Sequence, residues 1–375
     1  MDRQRVVRLI GIGLVGILLG VAAWSAMVGQ NFAPKGNLEA QSPEIPLMST
    51  IFKFKVVMPR AKFPGMQKLA ESSIESARPV SRDMNIYNPK SELSLFNKAK
   101  PGAEIKLPPD TMRVLRYSKK VFDQSQGAFD VTAKPLIKIW KGLTPKRSVK
   151  DPISGEIIST TGGIPELKKL RAARKQSNWA DLKLSENGVT KSQQSACVDL
   201  GGVAKGYAID LIVEELKRKG AIGGLVDIGG DVRCFGAHKN GQPWVVGIQN
   251  PYATEEQKRN NDHWFARVAL KNQSVCTSGN YMRRRIVDGV SYSHIVNPRT
   301  LKSADFYPSV TVIAPTAMEA DAWATALSVL GPAGFNQLKG TGVEAMIIVD
   351  NNDKPVLKMT PGFAKYLAGK PRKLR

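Results

Sequence analysis

Asp321 and Thr325, four residues apart, make the sharpest chemical arrangement in this sequence. Thr316-Ala-Met-Glu319 has the spacing of a capping box and predicts a helix through Ala320-Asp-Ala-Trp-Ala-Thr-Ala-Leu-Ser-Val-Leu330 to Gly331. Positions four apart share a helix face, so a carboxylate and a hydroxyl stand together near its N-terminal end. Both are hard oxygen ligands suited to Mg²⁺, which keeps waters and phosphate oxygens in its remaining positions. The same spacing also fits a structural pair, with Asp321 answering the helix dipole and Thr325 bonding back to a carbonyl.

A second arrangement is Val198-Asp-Leu-Gly-Gly-Val-Ala-Lys-Gly-Tyr-Ala-Ile-Asp210, where a short apolar run enters a helix through Gly201 and Gly202. Val203, Tyr207, Ala208, Leu211, Ile212 and Leu216 recur at helical spacing, and Lys217-Arg-Lys-Gly220 supplies a basic last turn and a stop. Free N–H groups and the positive end of the helix dipole gather at such a start, and glycines let a phosphate approach the backbone. Lys205 would add a full charge there. Plain turn chemistry at a strand-to-helix junction is the competing account of the glycines. Gly224-Leu-Val-Asp-Ile-Gly-Gly-Asp231 repeats the pattern of a strand running into glycines, and Gly127-Ala-Phe-Asp130 places one carboxylate on a loop. His294 is one of three histidines. As a neutral imidazole it could take a proton, and so could Asp231 as a carboxylate; a structural histidine is the alternative.

These groups need a scaffold, and the elements around them read as α+β. Ile51-Phe-Lys-Phe-Lys-Val-Val57 alternates as a strand, Leu69–Ala77 reads as a short helix, and Pro109–Gln126 as a longer one ended by Gly127. Trp244–Ile248 and Trp264–Leu270 read as strands, and short connections between successive strands favour mixed or antiparallel sheets packed with helices. From Gly142 to Ala180 we expect surface loops and one helix.

The 375 residues, 42% hydrophobic and 23% charged, suffice for one large domain or two smaller ones. The net charge of +23 suits an anionic ligand or surface. It is spread along the chain, and Arg283-Arg-Arg285 would point to alternate faces of a strand, so we expect no nucleic-acid partner. Arg3, Arg5 and Arg8 precede Leu9–Gly29, a stretch without a charge, which reads as an export signal or a retained membrane anchor. Ala23-Trp-Ser25 offers a cleavage site, while the length favours the anchor and an extracytoplasmic, periplasmic position. Cys197, Cys234 and Cys276 have no CxxC spacing and read as small buried hydrophobes. We divide the chain into 1–33 (signal or anchor), 34–46 (linker), 47–360 (the folded domain) and 361–375 (a basic tail).

Taken in order, Asn85-Ile-Tyr87 through Ser91-Glu-Leu93 to Asn97, Gly127–Asp130, Asp199–Tyr207, Gly229-Gly-Asp231, Thr277-Ser-Gly279, His294-Ile295 and Ala320–Thr325 resemble the ApbE-type flavin transferases, FAD:protein FMN transferases, from about Leu47 to Asp350. The resemblance implies a fold related to the tunnelling fold. It implies Mg²⁺ held by Asp321, Thr325 and a backbone carbonyl of the glycine turn, that of Gly202. It also implies FAD contacts at Met48, Tyr87, Ala128, Phe129, Asp130, Asp199, Lys205, Ser278, Gly279, His294 and Ile295. Ser49 departs from the pattern, since the family has Met-Gly-Thr where this chain has Met48-Ser-Thr50.

The implied reaction passes the FMN phosphate of FAD to a Thr or Ser hydroxyl of an acceptor flavoprotein and releases AMP. The acceptor would be a subunit of a membrane electron-transport complex. Water in place of that hydroxyl would make the chain an FAD pyrophosphatase, and a pocket without metal ligands would make it a flavin carrier.

Overall fold

The alternating stretch at Ile51 lies inside a ten-residue strand one place in from an edge of the main sheet, with strands paired on both of its sides. A computed structural model describes residues 36–142, 148–150, 157–160, 164–260, 262–279, 285–287, 290–292, 295–304, 307–351 and 354–374. The candidate anchor and His294 lie outside the described residues. The main sheet holds β1 (Asn37–Gln41), β2 (Ile45–Leu47), β3 (Thr50–Pro59), β4 (Gly223–Ile228), β5 (Asp231–Phe235), then β8 (Ser274–Ser278), β9 (Ser309–Ala314), β10 (Glu344–Asn351) and β11 (Lys354–Met359). Between β5 and β8 the chain forms a separate hairpin, β6 (Trp244–Gln249) and β7 (Trp264–Leu270). The sheet order is β1-β3-β4-β5-β8-β9-β10-β11, antiparallel throughout, with β2 beside β1 on the same edge of β3.

Period-two burial explains why this sheet has two cores. Phe52, Phe54, Val56 and Met58 of β3 are fully buried on one face, with Val226, Ile228, Val310, Val312 and Ile347 beside them. Over that face lie helices α1 (Met66–Asp83), α2 (Pro109–Gln124), α3 (Ala204–Arg218) and α4 (Ala317–Leu330). Val57, Val232, Val275, Ile313 and Ile348 point to the other face, where the β6–β7 hairpin and Phe363 cover them.

Three boundaries differ from expectation. Residues assigned to a linker form β1 and β2, because Glu39 and Ala40 register on Val57 and Val56, and Ser42 bridges the gap by donating its N–H to Phe54 O and accepting from Phe54 N–H at 2.9 Å each. Helix α1 runs past Ala77 and through Pro79 to Asp83, since the buried positions Leu69, Ser73, Ala77 and Val80 continue one stripe across the proline. The basic tail is attached to the hairpin: Leu367 bridges Val268, and Arg372 donates its N–H to Phe265 O. Among the described residues, the Gly142–Ala180 stretch holds an α-helix, Leu167–Lys175, together with a hairpin of Ser148–Lys150 and Ile157–Thr160. Cys234 and Cys276 are buried, while Cys197 is partly exposed; all three are free thiols.

Candidate active site

The glycine turn is held by its own sequence and by the loop across from it. Asn97 clamps Val198 from both sides, its amide donating to Val198 O at 2.9 Å and its oxygen accepting Val198 N–H at 2.7 Å. Asp199 donates its N–H to Val131 O at 2.8 Å, and its Oδ1 accepts Gly201 N–H at 3.0 Å. The turn at Gly201-Gly202 is therefore stitched to the loop that carries Phe129.

At Gly202 two of the three expected ligands come together. A Cβ placed there would lie 3.3 Å from Thr325 Oγ1 and 3.5 Å from Phe129 Cε2, so the glycine brings bare backbone against the threonine hydroxyl. On the same helix Ser328 bonds back to Ala324 O at 2.8 Å, whereas Thr325 makes no side-chain hydrogen bond among the described residues. The back-bonded reading of Thr325 is thereby removed. Asp321, 7% exposed, accepts the Gly206 N–H on Oδ2 at 3.0 Å, the first-turn amide of α3. That amide belongs to the helix start at which we expected an external anion; a carboxylate of the protein already answers it.

Mg²⁺ takes hard oxygens and only one or two protein carboxylates. One buried carboxylate, one unengaged hydroxyl and one uncovered glycine backbone fit that preference. Among the described residues no group of three or more His, Cys, Asp or Glu side chains could hold a metal instead.

Lys205 forms an ion pair with Asp231 Oδ2, and Thr277 N–H reaches Asp231 Oδ1 at 3.3 Å. Lys205 is thus not a free cation at the helix start, and Asp231 is not a free base. Both remain beside the glycine turn, their side chains 30% and 5% exposed. Ser278 and Gly279, at the end of β8 next to Thr277, are half-buried.

The other expected contacts divide. Ala128 and Phe129 are 2% exposed. The Asp130 side chain is fully enclosed, with Oδ1 accepting from Thr132 N–H and hydroxyl at 2.8 and 2.6 Å and Oδ2 paired to Arg174 at 2.8 Å. Burial pushes its carboxyl upward and Arg174 draws it back, while the residue's exposure lies in its backbone. A ligand meeting Asp130 would meet the main chain. Tyr87 is 80% exposed on a turn in which Asn85 Oδ1 accepts its N–H at 3.0 Å. Ile295 is half-buried and accepts Ala304 N–H at 2.9 Å. Met48 and Ser49, at φ 51° and 61°, are the two loop residues between Leu47 and Thr50, which pair across the β2–β3 hairpin. Thr50 packs on Gly229, where a Cβ would sit 2.6 Å from its Oγ1, so this hairpin adjoins the turn that presents Asp231.

Sequence reasoning missed two residues of the centre. Gly206 lets α3 and α4 touch, since a Cβ there would lie 2.2 Å from Ala317 O. Asp210 reaches the start of α4, with its carboxylate accepting Ala317 and Met318 N–H at 2.8 and 2.9 Å. The signal was available: Val203, Gly206 and Asp210 share a helical stripe, and a glycine and an acid on a buried stripe mark a close polar crossing.

The same residues are where the chain meets its relatives. The ApbE family model matches residues 48–347, which include every described residue of this centre. An FAD:protein FMN transferase of Vibrio cholerae is 27% identical over 328 residues, 86% of this chain and 88% of that protein. Among solved structures, the flavin transferase ApbE from Vibrio cholerae superposes with a TM-score of 0.72 at 25% identity, covering 89% of this chain and 100% of that one. A flavinyl transferase ApbE from Pseudomonas stutzeri gives 0.74 at 25%, covering 89% and 98%. With the family pattern matched across its length and its antiparallel sheet and helices reproduced, this chain belongs to the ApbE family.

Proposed function

We propose that the chain transfers FMN from FAD to a Thr or Ser hydroxyl of an acceptor flavoprotein, with Mg²⁺ required and AMP released. The observation that carries this reading is the meeting of Gly202, Thr325 and Asp321 at the start of α3, with Lys205 in the same first turn. In the reaction the acceptor oxygen attacks the phosphorus on the FMN side, the bond to the AMP oxygen breaks, and the hydroxyl proton leaves to a base or to water. A metal held by Asp321, Thr325 and the Gly202 carbonyl would supply charge stabilisation for the transferring phosphoryl group. The protein's own part is positioning. The glycine turn offers backbone to phosphate oxygens, Phe129 closes the floor beside Gly202, and Lys205 can turn from Asp231 toward a phosphate.

His294 and Asp231 are our proposed proton acceptors, and Asp231 can act only when Lys205 has turned away. The other flavin-contact positions, from Met48 to Ile295, belong to the same reading. So does the setting: the uncharged N-terminal stretch would hold the domain on the periplasmic side of a membrane, next to a flavin-bearing subunit of an electron-transport complex.

The test is AMP release from FAD and Mg²⁺ with an acceptor flavoprotein and with the same acceptor whose target Thr is changed to Val. Transfer predicts slow release alone, a steep rise with the intact acceptor, and one FMN attached per AMP. Equal release in both arms with no flavin on protein would make the chain a pyrophosphatase.

A further inference from the structure

Helices α3 and α4 exchange carboxylates. Asp210 of α3 accepts the two leading amides of α4, Ala317 N–H on Oδ1 at 2.8 Å and Met318 N–H on Oδ2 at 2.9 Å. Asp321 of α4 accepts the first-turn Gly206 amide of α3 at 3.0 Å. Between these bonds the two backbones touch at Gly206, with no room for a Cβ against Ala317. Three hydrogen bonds and one backbone contact thus fix both the slide and the rotation of α4 on α3. Behind Asp210, Arg233 of β5 donates to Oδ1 at 2.8 Å and ties the crossing to the sheet.

Helix α4 does not need Asp210 in order to start. Thr316 already caps it, accepting Glu319 N–H at 3.2 Å while Glu319 returns a bond to Thr316 N–H at 3.3 Å. What Asp210 adds is a reference point from another helix, one turn ahead of Asp321. A shift of α4 would carry Asp321 and Thr325 together away from Gly202, where Thr325 now stands. Groups behind metal ligands commonly set affinity in this way.

We infer that Asp210 is the positioning residue of the metal centre: its grip on the first two amides of α4 holds Asp321 and Thr325 in place to bind a divalent cation. The inference rests on the metal-assisted reading above and adds to it a residue that touches neither metal nor flavin.

The experiment follows Mn²⁺ as the probe, counted by its free-ion paramagnetic signal with FAD present, in the full chain and in Asp210→Asn. In the variant an amide N–H₂ faces a backbone N–H, so one amide of α4 loses its acceptor. We expect the Mn²⁺ dissociation constant to rise about tenfold, while FAD affinity measured in EDTA by flavin fluorescence stays within twofold. Arg233→Gln, which leaves Asp210 on the helix, gives a second variant should the first fail to fold; it should shift Mn²⁺ affinity in the same direction by less. A lower melting temperature with unchanged Mn²⁺ affinity would make Asp210 a strut and overturn the inference. Wild-type protein that binds no Mn²⁺ would overturn it as well. Wild-type protein that binds Mn²⁺, loses that affinity on Asp210→Asn, and yet attaches no FMN to an acceptor would leave the positioning role standing and remove the transferase reading.

Discussion

Lys205, in the first turn of α3, is ion-paired with Asp231, the first residue of β5, so the cation expected to wait for a phosphate is held by the protein's own carboxylate. The pair has a consequence for both stability and binding. Lys205→Met leaves Asp231 buried without its charge partner, which should cost about 2 kcal/mol, less than a fully enclosed pair because Lys205 is partly solvated. Lys205→Met with Asp231→Asn should recover most of that stability in urea unfolding. If Lys205 also meets the FAD phosphates, the double variant will be nearly as stable as wild type and still bind FAD weakly. Recovery of both stability and FAD affinity would show that Lys205 serves only Asp231.

The crossing at Gly206 gives a harsher prediction. Gly206→Ala puts a methyl group 2.2 Å from Ala317 O, against backbone rather than a flexible side chain, so α4 must move. We expect a loss of about 3 kcal/mol, with Mg²⁺-dependent AMP release lost in the fraction that still folds. A neutral result in thermal unfolding would mean that the helices are not in backbone contact here.

Much of this was legible in the sequence, and the exceptions share a cause. The strand at Ile51–Val57, the capped helix at Thr316 and the glycine turn at Gly201 are local patterns, in which period and caps are written in consecutive residues. The centre itself depends on which helix crosses which, and no local pattern records that. Lys205 read as a free cation because Asp231 is far from it in sequence, and Asp130 read as a site carboxylate because Arg174 was not visible as its partner. Lys191 shows the same limit. It looks like surface charge, yet it is 1% exposed, its amine donating to the carbonyls of Asn97, Gln194 and Ala196 at 2.8, 3.0 and 3.2 Å.

The β2–β3 hairpin carries a local strain that one substitution should relieve. Its two loop residues, Met48 and Ser49, both have positive φ, which this turn requires and which glycine supplies without a Cβ clash. Left-handed backbone costs a non-glycine residue roughly 1–2 kcal/mol, whereas glycine loses about 0.5–1 kcal/mol more entropy on folding. The difference favours Ser49→Gly by about 0.5–1 kcal/mol. A higher urea midpoint with an unchanged slope is the expected result; a lower midpoint would mean that the Ser49 side chain makes a compensating contact.

The metal assignment is best tested by two variants that differ in what else they break. Asp321→Ala removes the acceptor of the Gly206 amide as well as the proposed ligand, so it should cost about 1–2 kcal/mol of stability and bring Mg²⁺-dependent AMP release down to background. Thr325→Val is nearly isosteric, and the hydroxyl it deletes makes no hydrogen bond among the described residues. Stability should therefore change by less than about 0.5 kcal/mol, while the Mg²⁺ concentration for half-maximal release should rise at least about tenfold. The contrast carries the argument, because a purely structural Thr325 would leave the metal dependence where it was. A wild-type Mg²⁺ profile in a well-folded Thr325→Val protein would remove Thr325 from the centre and leave Asp321 as a helix-crossing residue alone.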